Sequence, residues 1–145
     1  MYAQEQGQEK RIVVMGCKLV DYHVNKNFDI LLKKLVLEWG NTQIADYAIS
    51  RLTEKGGEES LEYAGEIALN FGRKDEGQQL LERVFNFQMK KSGDKYPFTP
   101  ARTAVTLGKF DEAITLYCKA GYSWFDNALQ VAREHVPERT LEIAA

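Results

Sequence analysis

No sign of charge dominates this chain of 145 residues: nineteen Lys and Arg stand against twenty-one Asp and Glu, for a net charge of −2. Such a balance makes no broad field to gather phosphate backbones, so nucleic acid is not expected as a partner. Cysteine is scarce as well. Cys17 and Cys118 are far apart, each in an apolar run and without C-x-x-C spacing, which reads as two buried thiols in a reducing compartment. Long hydrophobic runs are missing: the longest, "IVVMGC", falls far below the roughly 20 residues of a membrane helix, and "MYAQEQGQEK" is polar where a secretory leader needs an apolar stretch. These shortages predict no membrane insertion and a cytoplasmic setting.

Catalytic patterns are lacking too. His23 and His135 have neither H-E-x-x-H nor a carboxylate at metal spacing, and read as histidines near helix ends, partly exposed. "NFGRKDEG" holds two glycines without the strand a phosphate loop requires, and G-x-S-x-G does not occur. Glu59, Glu62 and Glu66 share a helical face, yet a catalytic acid pair needs a dry pocket and a second group that nothing here supplies. Neither a cofactor, nor a metal, nor enzymatic activity is expected.

What is present is helical periodicity, in a composition of 44% hydrophobic and 28% charged residues that suits a folded protein. From Phe110, apolar or small residues recur at Ala113, Ile114, Tyr117 and Cys118, one continuous stripe. The pattern returns at Phe125, Ala128, Leu129 and Ala132, opened by Ser123 and Asp126 in capping-box spacing, and ends before Pro137. Thr99 and Pro100 read as N-cap and first-turn proline of a short helix closed by Gly108. Leu61, Ala64, Gly65 and Ala68 line a helix closed by Gly72, and Asp75 and Glu76 open the one carrying Leu80, Leu81, Val84 and Phe85. "FDILLKKLVLEW" ends at Gly40; Ile44, Ala45, Ala48, Ile49 and Leu52 follow on the next helix. "KKSGDKYP" reads as the one loop of any length. The β-branched "RIVVMGCKLVDYHV" allows two short strands around Gly16, but Ile12, Met15, Gly16, Leu19, Val20 and His23 share a helical face, which favours helix. The expected organisation is a flexible tail over residues 1–8 and one all-α domain over 9–145, with about nine short antiparallel helices.

Gly40, Gly72 and Gly108 are 32 and 36 residues apart, bracketing a period of 34. "LGKFDEAITLY" places Ala113, Tyr117 and Ala120 behind Gly108, and Gly65 with Gly77 and Ala101 with Ala113 supply small residues at matching places. Lys33 stands where a further small residue is expected. These positions resemble the tetratricopeptide (TPR-like) helical repeat over residues from about 28 to 145. The resemblance implies an α-α superhelix, a solenoid in which hairpins cover each other's apolar sides, and a concave groove that binds a protein or peptide. Carried onto this sequence, its groove positions are Glu62, Glu66 and Asn70 in one unit and Phe98, Arg102 and Thr106 in the next. The family's clamp for acidic C-terminal peptides uses Lys and Asn at such places. Acidic residues here imply a basic or apolar segment instead. A second resemblance, "ITLYCKAG" followed by "WFDNALQVAREH", is to the helix pairs of intraflagellar-transport and coat-type scaffold proteins. It implies the alternative of a structural segment in a larger assembly. An RNA-binding helical repeat would need a basic groove. The apolar "TLEIAA" leaves three readings open: a homodimer through the C-terminal helices, a piece of a longer scaffold, or a last helix folded back on its own stack.

Overall fold

The computed structural model describes residues 2–92 and 94–144. Among these it has nine α-helices and no strand, in the order expected of an all-α chain. They are α1 Tyr2–Asn25, α2 Asp29–Trp39, α3 Thr42–Lys55, α4 Glu58–Asn70, α5 Lys74–Ser92, α6 Phe98–Thr106, α7 Phe110–Ala120, α8 Phe125–His135 and α9 Thr140–Ala144. Two 3₁₀ turns, Tyr122–Trp124 and Pro137–Arg139, lead into α8 and α9. The β-branched N-terminal segment is helical, and residues 2–8, expected as a flexible tail, form the first turns of α1. The chain divides into two compact units, Met1–Leu81 and Glu82–Ala145, with the division falling inside α5.

In the first unit α1 packs on α3 and α2 on α4, while α3 packs on α4. Helices α1 and α2 thus each meet both the next helix and the one after it. Val20, Leu32, Val36, Ala45, Leu52, Ala64 and Ile67 are fully buried between them. Close approach depends on residues without side chains. A Cβ on Gly65 would stand 2.8 Å from Leu81 Cγ, and one on Gly77 would stand 2.8 Å from Leu69 and 3.0 Å from the Gly65 carbonyl oxygen. Polar clamps add register. Asp29, 6% exposed, accepts hydrogen bonds from Lys55 Nζ and from Ser60 Oγ at 2.8 Å, tying the start of α2 to the end of α3 and the start of α4. Asp21 accepts from Tyr47 Oη at 2.8 Å and Arg51 Nε at 2.9 Å, fastening α1 to α3.

In the second unit α7 packs on α6 and α8, and α9 lies back on α8 with Ile143 against the core of Ala101, Ala104, Ala113, Ile114 and Ala132. The turns of the two units match bond for bond. Gly72 and Gly108 have φ of 79° and 78°, left-handed values that a side chain makes costly. In each, the residue after the glycine donates its N–H to a carbonyl five residues back: Arg73 to Ala68 at 2.9 Å and Lys109 to Ala104 at 2.8 Å. The same two cations then reach back to carboxylates 27 positions earlier, Arg73 to Asp46 and Lys109 Nζ to Glu82 Oε1 at 3.3 Å. Offsets of 36 therefore relate backbone turns and ion pairs alike.

Local starts differ from expectation. Helix α6 begins at Phe98 with Pro97 as its N-cap, so Thr99 and Pro100 lie inside the first turn. Helix α8 is preceded by Trp124 with no side-chain cap, because the 3₁₀ turn over Tyr122–Trp124 takes Ser123 out of capping position. Helix α5 continues to Ser92, shortening the expected loop, and Tyr96 N–H bonds the Ser92 carbonyl at 2.7 Å. Asn41, whose side chain accepts from Ile44 N–H at 3.0 Å, is a cap the pattern did not reveal.

Where the first unit buries Leu52 and Ile67, the second, 36 residues on, buries Gln88 and Thr103, and Thr103 Oγ1 donates to Gln88 Oε1 at 2.7 Å. Thr103→Val should cost about 1–3 kcal/mol in urea unfolding by removing that donor, and adding Gln88→Leu should restore most of it. Gly77→Val should lower the thermal midpoint more than Gly7→Ala, whose new Cβ meets nothing within 4 Å, by about 1–3 kcal/mol of overpacking.

Candidate functional site

Glu62, Glu66 and Asn70 follow one another at i, i+4 and i+8 along a face of α4 in the first unit. The carboxylates there are engaged by the protein itself. Lys33 Nζ sits 2.7 Å from Glu66 Oε2 and its ammonium lies 5.3 Å from the centre of the Tyr63 ring. That ion pair accounts for a lysine at a position where a small residue was expected: the stem packs and the charge reaches from α2 to α4. With both partners about a quarter exposed, the pair contributes at most about 1 kcal/mol. Asn70 Nδ2 turns back to the Glu66 carbonyl oxygen at 2.9 Å, and half-buried Glu62 also has interactions of its own. Burial, then the charges of Glu59 and Glu62, push the Tyr63 phenol above its ordinary pKa. The face is acidic and partly neutralised by Lys33.

Phe98, Arg102 and Thr106 stand at the same spacing on α6, in the second unit. They serve three different purposes. Phe98 stacks on Trp124 with centroids 4.6 Å apart and planes 7° apart, Trp124 in turn lies over Tyr117 at 6.0 Å, and Tyr96 meets Phe98 edge-on at 6.1 Å. Phe98 is therefore a packing residue. Thr106 Oγ1 donates to the Arg102 carbonyl oxygen at 3.3 Å. Arg102 alone of the three lines a groove of about 220 Å³ between α6 and α8, with Val105, Tyr117, Asn127, Gln130, Val131 and Glu134.

The chemistry of this groove is a cation, a carboxylate and two amides over an aromatic floor. Arg102 is exposed and makes no ion pair among the described residues. Burial pushes the Tyr117 phenol up and the Arg102 charge opposes that shift, placing the guanidinium within electrostatic reach of the floor. Gln130 Nε2 donates to Glu134 Oε1 at 3.2 Å on the opposite wall. Sequence reading missed Asn127, Gln130 and Glu134. Their signal was present: they occupy the polar side of α8, opposite Ala128 and Ala132, where α6 carries Arg102.

The remaining candidates are structural. His23 is 7% exposed rather than partly exposed, and its Nδ1 donates to the Leu19 carbonyl oxygen at 2.7 Å. His135 stacks on Phe110 with centroids 3.7 Å apart. Both cysteines are free and half-buried rather than fully buried, and burial raises each thiol above its usual pKa. Among the described residues no group of three or more His, Cys, Asp or Glu could hold a metal ion, and no helix is long and apolar enough to cross a membrane. No family model matches the chain, and no curated protein or solved structure matches it.

A packing role for Phe98 and a surface role for Arg102 separate by mutation. Phe98→Ala should cost about 2–3 kcal/mol and shift the emission of Trp124, whereas Arg102→Ala should stay within about 0.5 kcal/mol of the parent in the same denaturation series.

Proposed function

We propose that this chain is a non-enzymatic interaction module, a TPR-like helical repeat that binds a protein or peptide segment along the exposed faces of α4 and α6. The observation that carries this reading is Arg102. An exposed guanidinium without an ion-pair partner among the described residues stands at the mouth of a groove whose other polar groups are the side chains of Asn127, Gln130 and Glu134. Amides and a guanidinium suit the carbonyls and polar side chains of an extended segment, and the Tyr117 floor suits an apolar one. A carboxylate on that segment fits Arg102.

The α4 face has the opposite preference. Glu62 and Glu66, with Glu59 beside them, favour basic or apolar groups there, and Lys33 limits the strength of that preference by engaging Glu66. The two faces thus differ in charge, one acidic and one holding both Arg102 and Glu134, and the expectation of a basic or apolar partner belongs to α4 alone. The matched turns and ion pairs at an offset of 36 support the repeat reading. The alternative, a spacer in a larger transport or coat-type scaffold, draws on the α7–α8 pair, where Gly121 follows α7 in the extended left-handed region at φ 110°.

Selection from a displayed library of random peptides should yield a motif whose binding falls at least about tenfold with Arg102→Glu, a loss of about 1.4 kcal/mol. Glu62→Lys with Glu66→Lys should weaken a different, basic set of peptides and leave the helical circular-dichroism signal intact. Selected peptides indifferent to all three substitutions contradict the proposal.

A further inference from the structure

Two opposite charges line the groove between α6 and α8, Arg102 from one wall and Glu134 from the other, and they do not pair. Their separation follows from how the helices run. Helix α7 reverses the direction of α6 and α8 reverses that of α7, each packing on its chain neighbour across a short turn. Helices α6 and α8 therefore run the same way. Phe98, the first residue of α6, stacks on Trp124, the residue ahead of α8, which sets the two starts level. At about 1.5 Å per residue, Arg102 stands about 6 Å along from that stack, Asn127 about 4.5 Å and Glu134 about 15 Å. Val105 and Val131 both stand about 10.5 Å along, on opposite walls. The groove thus carries a cation beside an amide, then an apolar waist, then a carboxylate, with roughly 9 Å along the axis between the two charges.

Among the described residues no carboxylate pairs with Arg102, and no Lys or Arg pairs with Glu134. Glu134 is exposed and accepts from the neutral Gln130 amide at 3.2 Å; His135 Nε2 lies 3.7 Å from its other oxygen, with the imidazole held in the stack on Phe110. An occupant must therefore be narrow and carry the complementary charges at the same separation. At about 220 Å³ the groove is too small to take in a helix, which is about 10–12 Å across with its side chains. A β-strand presents residues to one side at spacings of about 6.6 Å or about 13 Å, and both miss. A polyproline II segment has three residues per turn and rises about 3.1 Å per residue, so residues three apart share a side about 9.3 Å from each other. Its backbone makes no internal hydrogen bonds, which leaves carbonyls for Asn127.

Resting on the reading of this groove as a binding face, we infer that its occupant is a polyproline II segment of a partner protein with one acidic and one basic residue three positions apart. The acid meets Arg102 and the base meets Glu134. Proline or other apolar residues between them cover Val105, Val131 and the Tyr117 floor. Apolar cover and a preformed, low-entropy backbone supply the affinity; the two charges fix register and orientation, since a segment laid the wrong way round puts like charges together at both ends.

The probes are fluorescein-labelled proline peptides with one Glu and one Lys three apart, made in both orders, titrated with the full chain by fluorescence polarisation. The better-bound order should exceed peptides of the same composition with the charges two or four apart by at least about fivefold, and the advantage should shrink in about 1 M salt. Arg102→Glu with Glu134→Arg should transfer the preference to the opposite order while the helical circular-dichroism signal stays. Equal affinity for all three spacings in the parent chain overturns the inference, and that comparison needs no variant to fold. So does a dimer in light scattering that Arg102→Glu dissolves while no peptide binds, since a second copy then occupies the groove. Library-selected peptides that depend on Arg102 but lack a base three positions from an acid remove this inference and leave the groove a binding face; peptides indifferent to Arg102 remove both.

Discussion

A helix hairpin with greasy surface on both sides cannot hide it alone, and everything in this chain follows from how each side is covered. The covering works at short range. Backbones come together where Gly65 faces Leu81 and Gly77 faces Leu69, and α1 settles on α3 where Gly16 gives way to the side chain of Ile44. Small residues permit the approach; the aliphatic residues around them then reach full burial at Leu32, Ile67 and Leu81. Turns of three residues or so follow from the same demand, because a long connection would let the second helix drift from the first.

The two matched turns show how strictly the pattern is kept. Gly72 and Gly108 share a left-handed conformation, the residues after them share a hydrogen bond, and both of those residues send a cation to a carboxylate 27 positions back. Deviation is handled in pairs. Leu52 and Ile67 have as counterparts Gln88 and Thr103, two polar side chains that hydrogen-bond each other in a buried place. Replacing only one of the apolar pair would have left a polar group facing hydrocarbon.

Much of this was legible beforehand and some was not. Periodicity of 3.6 and the turn glycines placed α2 to α8 because burial and left-handed backbone leave marks on single residues. Helix starts were less readable: Ser123 and Asp126 have capping spacing, yet a 3₁₀ turn intervenes, and such turns carry little pattern of their own. Contacts across many residues left no local mark. Lys33 looked like a misfit until its partner Glu66, 33 positions away, was in view, and His23 looked exposed although the core closes over it. The site was half legible. The resemblance named Arg102, which lines the groove between α6 and α8, but grouped it with Phe98, whose ring belongs to an aromatic stack, and said nothing of α8, whose polar side completes the groove.

Charge then divides the surfaces that packing leaves over. The α4 face is acidic, the α6–α8 groove holds one cation and one carboxylate, and the stripe of Ile12, Met15 and Leu19 along α1 is apolar and exposed. Each of these faces is at least partly exposed among the described residues. The close approach of consecutive helices is the claim on which this rests, and nuclear Overhauser contacts in the isotopically labelled chain test it most directly. The account predicts cross-helix contacts between the α-protons of Gly65 and Gly77 and, 36 residues on, between the methyl groups of Ala101 and Ala113. Absence of either contact in a folded, helical chain would contradict it.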